Sequence, residues 1–378
     1  MTGQGLNPGG GPGHPRAAGS GRGGTAAVPG RAAIRVGGFS GVWRPRLVGV
    51  TLVGVALVVL VAAVNIGRGD FPISIGDVLA ALVGGGDRAQ RFIVLELRLP
   101  RTLTGVLVGA ALGLAGALTQ SVTRNPLASP DLLGVTAGAS ATAVTVIALG
   151  GGSGAAVGVL ASFGVPLAAL LGGLLAAAVV YGLAYRRGVV GDRMVLVGVG
   201  VNAVAVGITS WLLVVANINQ AAQATVWLTG SLNASGWAQV VPVGVALAVL
   251  VPTALLLAFG LGALQLGDDT ASALGLRVNR SRVALGLVGM TLAAVAAACA
   301  GPIGFVALVV PQVCLRMVRS ASPPLLTSAV YGALLTVAAD LIARTALPRE
   351  LPVGIITAVL GTPYLLYLLS RRNRGVTI

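Results

Sequence analysis

The sequence predicts an all-α polytopic membrane protein that crosses the bilayer about ten times, with both termini in the cytoplasm. Three observations carry this. Hydrophobic residues make up 56% of the 378 positions and charged residues 9%, with a mean hydropathy of +0.93. So few charges cannot cover a water-soluble body, whereas a lipid-facing surface does not need them. The apolar content, chiefly Ala, Val and Leu, falls in runs long enough to cross ~30 Å of hydrocarbon as helix, about 20 residues each. The arginines, finally, are divided unevenly between alternate connecting segments.

Residues 1–42, rich in Gly, Pro, Ala and Arg, are expected to be a disordered cytoplasmic tail, and residues 43–373 a ten-helix domain. The first apolar run begins near Leu47 and is long enough to span, which argues against a cleaved signal peptide. The runs fall near 46–66, 100–122, 132–150, 160–184, 194–216, 239–262, 281–300, 303–319, 325–344 and 353–370. The eighth is short and opens on Gly301, Pro302 and Gly304, a composition suited to broken helix lining a cavity. With the N-terminus inside, 18 of the 25 arginines fall in cytoplasmic segments and 7 outside. Without the six tail arginines the split is still 12 against 7. Merging the third and fourth runs would put Arg186, Arg187 and Arg193 outside, so ten spans fit better.

The formal charge of +15 does not point to nucleic acid. Every cationic side chain is Arg, and aromatics, 4% of the chain, are too few to build a stacking platform. Cys299 and Cys314 lie in apolar runs and read as buried structural thiols. The one histidine, His14, lies in the tail, so no metal site is assigned. There is no Ser/His/Asp set, no paired catalytic carboxylates and no Gly-Lys-Thr phosphate loop. The chain is therefore not expected to be an enzyme, nor to bind a cofactor itself.

Three polar stretches interrupt the apolar background. Arg98-Leu-Pro-Arg-Thr102 opens the second span and is followed by Gly105, Gly109, Gly113 and Gly116, a small-residue face suited to the bundle centre. On charge alone, its two arginines read equally well as interfacial snorkelling. Thr123 to Gly134, with Pro126 and Pro130, is an ordered turn in which Ser129 or Asp131 can cap the next helix. Gly267 to Val278 holds a short helix, capped by Asp268 or Asp269 and ended by Gly275, that presents Ala273 and Leu274 to the cytosol. Such exposed apolar residues suit a docking surface, with a helix resting on lipid as the alternative.

The run from Arg98-Leu-Pro-Arg-Thr102 through Asn125-Pro-Leu-Ala-Ser-Pro-Asp-Leu-Leu-Gly-Val135 resembles the signature of the FecCD-type permeases. These are membrane subunits of type II ABC importers for ferric siderophores, haem and cobalamin. Ala273-Leu-Gly-Leu276, Ala300-Gly-Pro-Ile-Gly-Phe-Val-Ala-Leu-Val-Val-Pro311 and Asp340-Leu-Ile-Ala-Arg344 follow in family order. Glu350-Leu-Pro-Val-Gly354 and Gly361-Thr-Pro363 complete the series, from about residue 94 to 370.

The resemblance implies a multi-pass subunit of the cytoplasmic membrane that pairs with a second permease, a related chain or else an identical one. It also implies two cytoplasmic ATPases using ATP and magnesium, and an external solute-binding lipoprotein. Arg98, Arg101 and Arg344 fall where permease arginines meet carboxylates of the binding protein. Segment 263–280, with Asp268, Asp269, Thr270, Ala273, Leu274 and Gly275, matches the coupling helix received by the ATPase. Gly191 and Asp192 match the narrow inner gate, a simple turn and cap being the alternative. Gln312 stands where the family commonly has His, so no protonatable role is assigned there.

Val226 to Asn233, followed by Trp237, is similar to permeases for ferric catecholate siderophores of the enterobactin type. A ferric siderophore is the expected substrate, with haem or cobalamin as the alternative. Asn202, Thr209, Ser210, Asn217 and Asn219 are candidates for a low-charge pathway that does not trap its cargo. The rival class is an ion-coupled secondary transporter, which would place ionisable groups at mid-membrane. Asp340 is the main internal carboxylate, and Arg344, four residues on, is its expected structural partner.

Overall fold

The computed structural model describes residues 33–36, 39–42, 44–69, 71–149, 155–185, 191–233, 235–265, 267–346, 348 and 350–373. They fall into two units that divide at Pro45. In the first, β1 (Ala33–Val36) and β2 (Phe39–Val42) pair antiparallel, with Ala33 opposite Val42 and Val36 opposite Phe39. A disordered tail was the expectation for this segment. Gly37-Gly38 between two runs containing β-branched residues is a hairpin signal, hidden here by a Gly-rich composition. The remainder of that expectation, residues 1–32, lies outside the described residues.

The second unit is helical. α1 (Pro45–Gly67) is followed by two short helices, α2 (Ile75–Leu82), capped by the Ser74 hydroxyl, and α3 (Arg88–Phe92), capped by Asp87. A π-helical segment, Ile93–Arg98, carries α3 into α4 (Leu99–Thr123). Then come α5 (Val135–Leu149), α6 (Ala155–Ala184), α7 (Gly191–Val215), the short α8 (Ile218–Leu228) and α9 (Trp237–Gln265). After the short α10 (Asp268–Ala273) follow α11 (Val278–Ala300), α12 (Val306–Val318), α13 (Leu325–Thr345) and α14 (Val353–Asn373). Among the described residues, seven segments are long and apolar enough to cross a membrane, and α5, α12 and Val353–Tyr367 of α14 are shorter apolar helices. These match the ten apolar runs one for one.

Two boundaries differ from the sequence expectation for physical reasons. The second span starts at Arg88, not near Pro100. Proline lacks an N–H and crowds the carbonyl four residues earlier, which normally ends a helix. Here the π segment just before it changes the hydrogen-bond register and lets the helix pass through Pro100. The eighth run is helical only from Val306, because Gly301 (φ 70°) and Phe305 (φ 67°) turn the chain sharply between α11 and α12. The thirteen residues of α12 rise only about 20 Å.

The helix α4 is the axis of the bundle. Of its 25 residues 20 are buried, and it packs against α13, α11, α12 and α9. Its glycines face the partners they let approach. A Cβ on Gly109 would collide with the Gly332 carbonyl oxygen, one on Gly113 with Ser328, and one on Gly332 with Gly109 in return. Backbone thus meets backbone along the α4–α13 seam, and Gly116 meets Ala307 of α12 in the same way. The outside is apolar: Leu52, Val59 and Leu60 of α1, and Val241, Val245 and Val249 of α9, are exposed. Residues four apart lie on one helix face, so α9 presents a continuous hydrocarbon-facing stripe.

Because the seam has no room for a methyl group, Gly113→Ala should destabilise the detergent-solubilised protein by about 2 kcal/mol or more. Thermal unfolding measures this. Gly200, which has nothing within 4 Å of where its Cβ would sit, should accept Ala with little change.

Candidate functional site: a charged mouth and an apolar-tipped helix

Two sites lie at opposite ends of α4, about 37 Å apart by helical rise. At the first, Arg98, Arg101 and Arg344 line one pocket of about 540 Å³ with Glu96, Asn233 and Glu350. The structure therefore brings the three expected docking arginines together, but not as exposed side chains. Arg98 and Arg101 are only 8% and 9% exposed, and Arg344 is half-buried. Arg98 donates to the carbonyls of Ile66 and Phe71 (2.8 and 2.6 Å), so it satisfies an orphan carbonyl at the end of α1. Arg344 donates to Asn65 Oδ1 (2.8 Å) and to the Arg68 carbonyl (2.5 Å). Both guanidinium groups crowd Gly69: their Nη2 atoms lie 2.8 and 2.7 Å from where a Cβ would stand.

Arg101 is the hub of the mouth. Its Nε and Nη2 both donate to Asp340 Oδ1 (3.2 and 2.9 Å), and its Nη1 donates to Asn233 Oδ1 (3.0 Å) and Glu350 Oε2 (3.3 Å). The other oxygen of Asp340 accepts from Asn65 Nδ2 at 3.1 Å. The partner that Asp340 meets is thus Arg101, across the α4–α13 seam, and Asn65 links it to Arg344, the partner expected from the i, i+4 spacing. Asn65 is completely buried in the last turn of α1, after an unbroken apolar stretch from Leu52 to Val64. A lone amide in a spanning run is the signal that marks it in the sequence.

At the other end, α10 forms as expected and ends in a Schellman motif. Gly275 takes φ 81°, its N–H bonds the Ser272 carbonyl, and Leu276 N–H bonds the Ala271 carbonyl. The cap differs from expectation. Gly267 is the N-cap, and Asp268 is instead gripped bidentately by Arg282 of α11 (2.8 and 2.7 Å) and by Arg124 (2.5 Å). Arg124 ends α4 in a left-handed conformation (φ 52°) and also bonds the Leu264 carbonyl of α9. Ala271 is buried, while Asp269, Thr270, Ala273 and Gly275 are exposed and Leu274 is 66% exposed. The helix therefore shows an apolar tip while its base is ionically tied to α4 and α11. In the sequence Arg124 and Arg282 are simply two of the 18 arginines in cytoplasmic segments, and nothing in their local spacing marks them as partners of Asp268.

The remaining candidates are placed less tightly. Gly191 opens α7 hard against the last turn of α4, where a Cβ would strike the Thr123 carbonyl oxygen, and Asp192 is exposed in the first turn. Arg186 and Arg187, before it, lie outside the described residues. Thr209 is buried and bonds the Ala205 carbonyl, Ser210 is exposed, and Asn202 is half-buried. Asn217 and Asn219 are exposed at the start of α8, where Asn217 forms a capping box with Gln220. These five lie along α7 and the start of α8. Gln312 donates to Gln120 Oε1 (2.8 Å), which in turn donates to the Leu308 carbonyl (2.9 Å). Both amides line a pocket of about 590 Å³ beside Arg124.

A charged mouth, an apolar-tipped helix and one buried axis between them, in a lipid-facing bundle, are the make-up of a membrane transport subunit. The chain belongs to the FecCD transport family, whose profile matches residues 50–371. It is 39% identical to the ferric enterobactin transport system permease protein FepG of Escherichia coli (strain K12), over 87% of this chain and 98% of that protein. Its identity to the permease protein FepD of the same system is also 39%, over 85% of this chain and 95% of FepD. The iron(3+)-hydroxamate import system permease protein FhuG of Bacillus subtilis (strain 168) is 37% identical over 84% and 95%. A solved structure described as an inward-facing metal-chelate type ABC transporter superposes with a TM-score of 0.73 at 27% identity, covering 87% of this chain and all of that one.

Arg282, with Arg124 beside it, holds the Asp268 carboxyl below its usual range. A carboxyl with a depressed folded pKa contributes stability above its unfolded value, about 3.9, and loses it as pH falls through the folded value. The side chain is 48% exposed, so solvent weakens the effect. Thermal unfolding curves of the wild type and Asp268→Asn should therefore differ at neutral pH, begin to approach one another near pH 4, and converge only as the pH falls through the lower folded value.

Proposed function

We propose that this chain is the membrane-spanning permease subunit of an ABC importer that carries a ferric siderophore across the cytoplasmic membrane. ATP hydrolysis on separate ATPase subunits drives it, and a second permease chain completes the pathway. The observation that carries this reading is the build of α10. Its exposed Ala273-Leu274 tip suits a cleft in another protein, while the Asp268 clamp fastens its base to α4 and α11. A push on the tip is thereby delivered as rigid-body movement to the axis of the bundle. α10 then lies on the cytoplasmic side and the arginine mouth outside.

The mouth suits an external solute-binding lipoprotein. Charge-assisted contacts between guanidinium and carboxylate groups give orientation and rapid encounter. Arg344 is the most accessible of the three arginines, whereas changing Arg98 or Arg101 would disturb the fold as well as docking. The names of the relatives favour a ferric siderophore over haem or cobalamin as cargo. The pairing of Asp340 with Arg101 argues against ion-coupled secondary transport, since the internal carboxylate is already neutralised.

Leu274→Asp should leave the chain folded in the membrane but lower ATP-driven uptake about tenfold or more, because a charge on the tip resists burial in an apolar cleft. Uptake in reconstituted vesicles measures this, and undiminished coupled uptake would reject the role of α10. For the cargo, a strain lacking the chain should lose uptake of radioiron-labelled ferric catecholate and regain it on complementation. Loss of haem or cobalamin uptake instead would move the assignment to that branch.

A further inference from the structure

We propose that Glu350 is a resident carboxylate that occupies the outer edge of Arg101 until a docking partner's carboxylate replaces it, and that this exchange loosens the loop leading into α14. The proposal rests on reading the mouth as a docking surface.

The two sides of Arg101 are held very differently. Its inner edge meets Asp340, whose side chain is 2% exposed and further fixed by Asn65. Its outer edge meets Glu350 at 3.3 Å, and that side chain is 43% exposed. An ion pair open to solvent is screened and cheaply exchanged, whereas removing a buried partner leaves a charge uncompensated. The charge balance also calls for an exchange. Among the described residues Arg98, Arg101 and Arg344 stand against Glu96, Glu350 and the deeper Asp340. A further carboxylate approaching Arg101 gains little unless a resident one leaves, and Glu350 is the exposed one bonded to Arg101.

Chain connectivity gives the exchange a consequence. Glu350 lies three residues before α14, just ahead of two backbone anchors: Leu351 N–H bonds the Ala343 carbonyl (3.0 Å), and Gly354 N–H bonds the Gly230 carbonyl (3.1 Å). Gly354 also sits so close to Thr229 that a Cβ would strike its carbonyl oxygen. The same 229–233 turn supplies Asn233, the other outer partner of Arg101. Releasing Glu350 therefore frees one of the ties that hold the start of α14 against that turn.

Glu350→Gln keeps the side chain's size and an acceptor oxygen but removes the competing charge. Binding of the importer's purified solute-binding protein to the reconstituted permease–ATPase complex should tighten about threefold or more in this variant, and in Glu350→Ala. Unchanged or weaker binding would overturn the exchange, as would a Glu350→Gln protein that fails to accumulate or unfolds well below the wild type. In that case Glu350 is a structural counter-ion. The docking reading is judged separately: wild-type binding should weaken with ionic strength and with Arg344→Gln. If both hold while Glu350→Gln does not tighten binding, the exchange alone is wrong. If neither holds, the docking reading and the exchange fall together.

Discussion

Arg101 and Asp340 form an ion pair almost wholly withdrawn from water, 2.9 Å apart, between the first turn of α4 and the last part of α13. Such a pair is costly to bury and still more costly to break, since either partner alone would be an uncompensated charge. It is possible here because the two helices touch backbone to backbone at Gly109, Gly113 and Gly332. That close approach brings α13 near enough for the short Asp340 side chain to reach a guanidinium on α4. Asn65 then ties α1 to the same carboxylate, and Asn233 and Glu350 bring in the segments before α9 and α14.

The same helix gives the opposite end its order. α4 runs without interruption from this ion pair to Arg124, whose left-handed cap position turns the guanidinium back towards Asp268 and α10. The Arg282 clamp joins α11, which also packs along α4. Packed helix and charge-assisted hydrogen bonds thus form a continuous connection from α10 to the helix that holds the mouth, the connection that the proposed function requires. Outside this frame α1, α7 and α9 present mostly apolar surface. A stiff centre with apolar flanks is the build expected of the membrane subunit proposed above.

Much of this was legible in the sequence, and the parts that were not have identifiable causes. The apolar runs gave every long helix, because span length is set by the bilayer and not by tertiary detail. The glycine row in α4 announced the central packing. The start of the second span was hidden because Pro100 reads as a helix beginner, and its tolerance depends on the π segment before it. The burial of Arg98 and Arg101 was hidden because charged residues near a span end usually reach for water. Pairings such as Asp268 with Arg282, or Asp340 with Arg101, join residues 14 and 239 positions apart. Local spacing pointed to Arg344 for Asp340, and only the crossing of α4 and α13 selects Arg101.

The central claim is that the Arg101–Asp340 pair, seated on the glycine seam, holds the mouth of the bundle together. A double-mutant cycle with Arg101→Met and Asp340→Leu, read by thermal unfolding in detergent, tests it most directly. Each single change should cost about 3–5 kcal/mol, because it strands a buried charge. The double variant should be less destabilised than the sum of the two single losses, with a coupling of about 2 kcal/mol or more. Losses that simply add, or single variants as stable as the wild type, would contradict the account.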